Sequence, residues 1–216
     1  MELDAFILIG GRSSRLGDDK AFVEIGGKTL AARSAQMIET ALSPVRITFV
    51  AGSEGQFKTD LLSSLGHPVI TDLKPGLGAW SGIDVALVNA RSKWIFIFAS
   101  DLPFVSIELL QLLAGFADGG NDAVVPRQPD GRLQPLCAFY RVSSALAAVE
   151  EILAVGGRLP PLTAIFNRLK TRVIGSDEYS GLENADKLFL NINTAADLAA
   201  AIRNSPQRHR GHREFK

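Results

Sequence analysis

The feature that most limits the possible folds of this chain is its beginning, where an apolar run of strand length leads into a basic, glycine-rich loop. Residues 5–9 are all apolar, Gly10 and Gly11 follow them, and a third glycine stands at position 17. Glycines bring the backbone close to a ligand, and successive N–H groups in such a loop form a concave anion site. The loop predicts a nucleotide phosphate site, with an ordinary strand-to-helix turn as the alternative. The positive side chains beside it are Arg12, Arg15 and Lys20.

Strand-like and helix-like segments alternate through the first half of the chain. The predicted strands cover residues 5–10, 45–51, 68–71, 94–99 and 121–126, and the predicted helices cover residues 30–42, 56–65, 81–90 and 107–116. Thr29 and Ser106 are the predicted N-caps of the first and the last of these helices. This order predicts a Rossmann-like, three-layer α/β/α fold with a mostly parallel sheet.

The second half of the chain is less regular. Its predicted elements are a long strand at 131–141, a helix at 143–155, a short helix at 162–169, strands at 171–174 and 189–192, and a last helix at 195–203. Gly156 and Gly157 are expected to end the helix at 143–155 in the manner of a C-cap. We expect one domain over residues 1–203 and a disordered, basic tail over residues 204–216.

Composition and charge argue against several classes of function. The 216 residues carry 23 Lys and Arg against 23 Asp and Glu, so we expect no broad attraction to nucleic acid or to an anionic membrane. No apolar run reaches the roughly 18 residues of a membrane span, and the acidic start lacks the basic region of a signal peptide. Cys137 is the one cysteine and is expected to be a buried structural thiol. We therefore expect a cytoplasmic protein.

Asp101 follows the most apolar predicted strand, residues 94–99, with one serine between them. A carboxylate at the carboxyl end of a central parallel strand lies where ligands bind in open α/β sheets. Mg²⁺ takes carboxylate and phosphate oxygens together, so Asp101 is the predicted magnesium ligand. The alternative is that Asp101 caps the next helix, for which Ser106 is better placed.

A second carboxylate, Asp72, ends the predicted strand at 68–71 and is followed by a glycine-rich loop. Its oxygens could accept hydrogen bonds from a ribose hydroxyl or from a base N–H, and the glycines of the loop allow a ligand to approach closely. An aspartate that simply starts a turn is the alternative.

Several other catalytic motifs are absent from the sequence. Gly17 is followed by Asp18, so the first loop is not a Walker A loop, and it does not fit the dinucleotide pattern G-x-G-x-x-G either. The motifs G-x-S-x-G, C-x-x-C and H-E-x-x-H are also missing, and the three histidines do not have the spacing of a metal site. Hydrolase, redox and zinc chemistry therefore have no support.

The pattern G-G-x-x-x-R-x-G-x-D-K over residues 10–20 resembles the opening loop of nucleotidyltransferases, and most closely that of the molybdenum cofactor guanylyltransferases. The family pattern has Ala in place of Ile9 and Met in place of Leu16, and both exchanges are apolar for apolar. Residues 72–83 resemble the family's strand-end Asp and its G-P-L-x-G-I loop, with Trp80 as a departure. The resemblance extends from about residue 5 to residue 198.

The resemblance implies transfer of GMP from GTP to the phosphate of molybdenum-bound molybdopterin. It implies a nucleotide-binding half over about residues 1–105, an acceptor-binding half over about residues 106–203, and Mg²⁺ as the cofactor. Arg15, Lys20 and Asp101 are the implied catalytic residues. The backbone N–H groups of residues 8–11 are expected to hold the base and the ribose phosphate. The residues implied to contact GTP are Leu8, Ile9, Gly10, Gly11, Lys20, Asp72, Gly82 and Asp101.

On the acceptor side, residues 191–198 resemble the family segment N-x-N-T-P-E-D-L, residues 134–136 resemble its Q-P-L step, and Arg158 resembles a family arginine. Arg158, Asn191 and Asn193 are thus expected to supply donors for the anionic pterin phosphate. The implied partners are GTP, the molybdopterin cofactor, and either other proteins of molybdenum cofactor synthesis or the molybdoenzyme that receives the product. Two alternatives stay open, namely a related nucleotidyltransferase that uses CTP or a sugar phosphate, and a non-catalytic nucleotide-binding module.

Overall fold

The computed structural model describes residues 1–10, 20–71, 76–192 and residue 197. Its strands are β1 (Leu3–Leu8), β2 (Glu24–Ile25), β3 (Lys28–Thr29), β4 (Arg46–Ala51), β5 (Val69–Thr71), β6 (Trp94–Ala99), β7 (Ala123–Pro126), β8 (Cys137–Arg141) and β9 (Thr171–Ile174). Its helices are α1 (Leu30–Leu42), α2 (Thr59–Ser63), α3 (Ala79–Val88), α4 (Ile107–Ala114) and α5 (Val142–Ala154), and 3₁₀ segments cover Lys20–Phe22 and Leu162–Asn167. None of the described helices is long and apolar enough to cross a membrane.

A seven-stranded sheet forms the centre of the protein, with the strand order β5-β4-β1-β6-β8-β7-β9. Strand β1 pairs in parallel with β4 on one side and with β6 on the other. Strand β8 is antiparallel to both β6 and β7, whereas β9 is parallel to β7. The predicted mostly parallel sheet is therefore confirmed, with β8 as the strand that runs in the opposite direction.

Helices cover both faces of the sheet because its central strands are apolar on both sides. All residues of β1 and of β6 are buried. Phe6 and Leu8 of β1 pack in a cluster with α3 and α5, whereas Ala5 and Ile7 pack in a cluster with α1 and α4. The structure thus confirms the predicted three-layer α/β/α arrangement.

The helix ends follow local sequence signals. Thr29 accepts a hydrogen bond from the backbone N–H of Ala32 at the start of α1, and Ser106 accepts one from that of Leu109 at the start of α4. After α5, Gly156 takes a φ of 71°, a left-handed conformation that glycine adopts without strain. Both predicted N-caps and the predicted glycine end are confirmed.

Two predicted strands are wrong. Residues 131–136 belong to a hairpin loop rather than to a long strand at 131–141, because Pro135 has no N–H to donate and Gly131 takes a φ of 86°. Residues 189–192 do not form a strand. They are instead attached to the turn after β6 by a hydrogen bond of 3.1 Å from the N–H of Ile192 to the carbonyl of Asp101.

Two predicted helices are shorter than expected. The helix predicted at 56–65 is reduced to α2, because Gly55 takes a φ of 73° and the side chain of Gln56 accepts a hydrogen bond from the N–H of Gly52. The helix predicted at 162–169 is the 3₁₀ segment Leu162–Asn167. The helix predicted at 195–203 and the tail predicted at 204–216 lie outside the described residues, apart from residue 197.

Cys137, at the start of β8, is completely buried. Burial raises the pKa of its thiol far above the ordinary value, which keeps the sulfur protonated. Because the thiolate is the reactive form, Cys137 is a structural residue, as predicted.

Asp4 of β1 is a buried carboxylate at the amino edge of the sheet, with an exposed fraction of 1%. Its Oδ2 atom accepts hydrogen bonds from Nη2 of Arg46 at 2.9 Å and from the backbone N–H groups of Arg91 and Ser92 at 2.7 and 3.2 Å. Burial by itself raises the pKa of Asp4, but these bonds and the charge of Arg46 outweigh it and hold the pKa below its ordinary value of 3.8. The carboxylate ties the start of β1 to β4 and to the chain before β6.

We expect Asp4→Asn to lower the free energy of unfolding by about 2 kcal/mol, because Arg46 then faces a neutral group in a buried site. Since the folded pKa lies below the unfolded one, the stabilisation is complete above the ordinary pKa of 3.8 and disappears as the pH falls through the lowered pKa. Urea unfolding at a series of pH values measures both effects. The control is Asp130→Asn, at an exposed carboxylate whose pKa is lowered by a hydrogen bond from Arg132. An equal loss of stability in the two variants would contradict this role of Asp4.

Candidate active site

The carboxyl ends of β1, β4 and β6 meet at one edge of the sheet, which we call the carboxyl edge. Leu8 at the end of β1 is in register with Ala99 at the end of β6 and with Val50 of β4. The N–H of Ser100 donates to the carbonyl of Leu8 at 3.1 Å, so the hydrogen bonding continues up to the residue before Asp101. Open α/β sheets bind their ligands outside this edge.

The first loop leaves the sheet close to β4. The N–H groups of Ile9 and Gly10 both donate to the carbonyl of Val50, at 2.9 and 3.2 Å. The expectation that these two N–H groups hold the nucleotide is therefore wrong, because Val50 already accepts them. A Cβ atom at Gly10 would lie 2.3 Å from the backbone nitrogen of Gly52. Glycine is therefore required at position 10 because the backbone after β1 packs directly against the backbone after β4. Contacts of Leu8, Ile9 and Gly10 with GTP through other atoms stay a prediction.

The structure brings together two of the predicted catalytic side chains. Nζ of Lys20 lies 2.9 Å from Oδ2 of Asp101, although 81 positions separate the two residues in the sequence. The side chains are 15% and 27% exposed, so the pair is partly shielded but open to a ligand. Chemically, such a pair can offer its ammonium group to a phosphate and its carboxylate to a cation.

The backbone of Asp101 is fixed in a turn between β6 and α4. The N–H of Leu102 donates to the carbonyl of Ala99 at 3.3 Å, and the carbonyl of Asp101 accepts from Ile192 at 3.1 Å. The alternative that Asp101 caps α4 is wrong, because Ser106 makes that cap. The carboxylate of Asp101 faces Lys20 instead.

A magnesium ion would fit this arrangement. Among the residues that the structure describes, no three His, Cys, Asp or Glu side chains are grouped as a metal site. Mg²⁺ does not require such a group, because it keeps several waters and is held by one or two carboxylates together with substrate phosphate oxygens. The Asp101 carboxylate, beside a lysine at the predicted phosphate site, meets that requirement.

Gly82 lies in α3 with its Cα turned toward β1. A Cβ atom at this position would come within 2.8 Å of Cδ2 of Leu8. The glycine therefore lets α3 pack closely on the sheet, and the contact of Gly82 with GTP stays a prediction.

Two segments of the predicted acceptor side lie beside the turn that holds Asp101. Asn191 is exposed and precedes Ile192, which is buried and bonded to the carbonyl of Asp101. The carbonyl of Leu136, in the Q-P-L step, accepts a hydrogen bond of 2.8 Å from the N–H of Ala99. The long loop before β8 thus reaches the carboxyl edge.

Arg158 is exposed in the loop after α5, away from this turn in the sequence. Sequence reasoning missed the contact that holds this loop, a hydrogen bond of 2.8 Å from Nε1 of Trp80 to the carbonyl of Pro160. Its only signal in the sequence is a large aromatic residue at a position where the family's loop pattern has none. The remaining predicted site residues, Gly11, Arg15, Asp72 and Asn193, lie outside the described residues.

Comparison with known proteins gives a family. Residues 5–159 match the model of the MobA-like NTP transferase domain. A "Probable molybdenum cofactor guanylyltransferase" of Thermococcus gammatolerans is 34% identical to the chain over 89% of the chain and 95% of its own length. A "Molybdenum cofactor guanylyltransferase" of Desulfosudis oleivorans is 30% identical over 90% of the chain and 92% of its own length.

Solved structures give the same fold. The crystal structure of Molybdopterin-guanine dinucleotide biosynthesis protein A from Archaeoglobus fulgidus superposes with a TM-score of 0.72 at 29% identity, over 93% of this chain and 97% of that chain. The 4-diphosphocytidyl-2C-methyl-D-erythritol synthase of Anaerococcus prevotii superposes with a TM-score of 0.68 over 94% of this chain and 95% of that chain. The second pair shares 14% identity, so its likeness shows the fold alone.

Proposed function

Because the chain belongs to the MobA-like NTP transferase family, we propose that it transfers GMP from GTP to the phosphate of the molybdenum-bound molybdopterin cofactor. The products are the guanine dinucleotide form of the cofactor and pyrophosphate. Relatives named molybdenum cofactor guanylyltransferase, which match nine-tenths of the chain, support the choice of substrates. The observation that carries the proposal is the ion pair of Lys20 and Asp101 at the carboxyl edge.

In the proposed reaction a phosphate oxygen of the acceptor attacks the α-phosphorus of GTP. A new P–O bond forms, the bond from the α-phosphorus to the bridging oxygen breaks, and pyrophosphate leaves with that oxygen. Such transfers depend on positioning and on neutralising charge more than on covalent help from the protein. A cationic and an anionic side chain held side by side suit both needs.

The ammonium group of Lys20, which lies 2.9 Å from Oδ2 of Asp101, supplies positive charge to the triphosphate in this reaction. When GTP binds, the ammonium group pairs with oxygens of the β- and γ-phosphates and offsets the charge that develops on the departing pyrophosphate. Arg15 adds a second positive charge to the triphosphate. The carboxylate of Asp101 would hold Mg²⁺, and that ion would supply positive charge to the phosphate oxygens.

The other predicted residues divide between the two substrates. Asp72, Gly82 and residues 8–11 contact GTP, the latter through atoms other than the N–H groups of Ile9 and Gly10. Arg158, Asn191 and Asn193 donate to the phosphate of the acceptor. The balanced charge of the chain and its single cysteine favour a cytoplasmic enzyme. Its protein partners are other proteins of molybdenum cofactor synthesis or the molybdoenzyme that receives the product.

Calorimetry with GTP, ATP and CTP in the presence of Mg²⁺ tests the choice of nucleotide. A site that hydrogen-bonds one base edge leaves its own groups unpaired with the wrong base, at a cost of about 1–3 kcal/mol for each group. We therefore expect GTP to bind at least about tenfold more tightly than ATP or CTP. Equal affinity for CTP would contradict the proposal in favour of a cytidylyltransferase of the same fold. Absence of any nucleotide binding would contradict the proposal as well.

A further inference from the structure

The indole of Trp80 joins two segments that are far apart in the sequence. Trp80 lies in the first turn of α3 and is 4% exposed. Its Nε1 atom donates to the carbonyl of Pro160 at 2.8 Å. Pro160 belongs to the loop of residues 155–161, which connects α5 with the 3₁₀ segment Leu162–Asn167. The bond thus attaches this loop to the beginning of α3.

The direction of β8 brings this loop to the carboxyl edge. Because β8 is antiparallel to β6, Arg141 at its end lies opposite Trp94 at the beginning of β6, at the amino edge. Helix α5 starts there and runs back across the sheet, next to α3. Helix α3 begins at the carboxyl edge, because it is the next described element after β5, which runs parallel to β4. The loop of residues 155–161 therefore emerges at the same edge as Asp101.

Arg158 lies in this loop between two glycines, which leave the backbone free to move, and two prolines, which restrict it. Gly156 and Gly157 precede it with φ angles of 71° and 74°, and glycines by themselves fix the backbone poorly. Two prolines follow at positions 160 and 161 and restrict the chain. Arg158 is exposed and forms no salt bridge with a carboxylate of the described residues. The position of Arg158 therefore depends on the contacts that hold the two prolines.

We propose that Trp80 is a positioning residue for the acceptor side of the active site, which holds Pro160 and thereby keeps Arg158 where its guanidinium can pair with the phosphate of the acceptor. This inference rests on the proposed function, because it takes the acceptor to be a phosphate-bearing substrate. A guanidinium binds phosphate through a planar fork of donors, so its value depends on how well its backbone is oriented. A tether on the loop therefore lowers the ordering cost of acceptor binding.

Trypsin cleavage after Arg158 in the folded protein measures the tether without any substrate. Trp80→Phe keeps a ring in the packed position and removes the N–H donor. We expect cleavage after Arg158 to be about five- to tenfold faster than in the wild type, as follows from the loss of one hydrogen bond. An unchanged cleavage rate would overturn the proposal. Trp80→Leu, which also lacks a donor, is used if Trp80→Phe does not fold.

Trp94→Phe is the matched control for this experiment. Its indole also donates a hydrogen bond, to Oδ1 of Asp118 at 2.6 Å, but at the amino edge of the sheet. We expect this variant to lose a similar amount of buried ring and yet to leave cleavage after Arg158 unchanged. Equal acceleration in both variants would mean that general loosening, and not a local tether, exposes the bond, which would overturn the proposal.

Steady-state kinetics with the pterin acceptor test the positioning role. We expect Trp80→Phe to raise the KM for the acceptor about fivefold, with kcat and the KM for GTP changed less than about twofold. Arg158→Ala should raise the acceptor KM at least as much, and the double variant should be no worse than Arg158→Ala alone, because Trp80 acts through Arg158. Effects that multiply in the double variant would overturn the proposal. Absence of turnover in the wild type would contradict the proposed function instead, and the cleavage test would still decide whether Trp80 holds the loop.

Discussion

Asp101→Asn is expected to lower kcat by about a hundredfold or more while the protein stays folded. The amide does not offer a negative charge to a divalent cation, and it leaves Lys20 without the partner that lies 2.9 Å away. The expected loss corresponds to about 3 kcal/mol of transition-state stabilisation. Pyrophosphate release at saturating Mg²⁺ and GTP measures it.

Asp118→Asn provides a matched control for this substitution. Asp118 accepts a hydrogen bond from Nε1 of Trp94 at the opposite edge of the sheet, and asparagine keeps an acceptor oxygen there. We expect this variant to turn over at nearly the wild-type rate. Turnover of Asp101→Asn at the rate of the control would contradict a catalytic role for Asp101.

Lys20→Ala is expected to weaken GTP binding by about tenfold to a hundredfold, because a charge-assisted hydrogen bond contributes about 1.5–3 kcal/mol. GMP lacks the β- and γ-phosphates, so its affinity should fall much less. Lys20→Arg should recover only part of the loss, because a planar guanidinium does not occupy the position of the ammonium point charge. Calorimetry with GTP and GMP measures both affinities.

Lys28→Ala is the control for the change of charge. Nζ of Lys28 donates to Oε1 of Gln36 on the exposed surface near α1. We expect this variant to bind GTP and GMP like the wild type. If Lys20→Ala also leaves GTP affinity and turnover unchanged, the proposed phosphate contact of Lys20 is wrong.

Local signals were sufficient to predict the centre of the fold. The apolar runs at 5–9 and 94–99 became buried neighbouring strands, because a strand covered on both faces has no reason to alternate polar and apolar residues. Thr29 and Ser106 cap helices because their side chains bond a backbone N–H only three residues away. Such signals act within a few residues and can be read without the tertiary structure.

The candidate site was predictable only in part. The topology places the ends of parallel strands at one edge of the sheet, but it does not say which side chains touch there. The position of Asp101 after a central strand predicts the carboxyl edge of the sheet, whereas the distance of 2.9 Å to Lys20 depends on how the chain returns after the first loop. In the same way, glycine at position 10 predicts a close approach, but the partner is Gly52 of the chain itself. In both cases the residue type predicted that a close contact would form, and the tertiary packing determined which residue made it.

Two of the features that sequence reasoning missed depend on long-range geometry. The reversal of β8 follows from its pairing with both β6 and β7, which no local pattern at 137–141 contains. The bond from Trp80 to Pro160 joins residues 80 positions apart and uses a backbone carbonyl, which is present at every residue. Only the departure of Trp80 from the family's loop pattern marked this position as unusual.

Synthesis of the dinucleotide product tests the central claim most directly. Purified protein is incubated with Mg²⁺, GTP and molybdenum-bound molybdopterin, and the cofactor is analysed by mass spectrometry while pyrophosphate is measured in parallel. The account predicts that the guanine dinucleotide cofactor and pyrophosphate form in equal amounts, and that Asp101→Asn forms both at least about a hundredfold more slowly. Formation of the cytosine dinucleotide when CTP replaces GTP, or no dinucleotide from GTP and this acceptor, would contradict it.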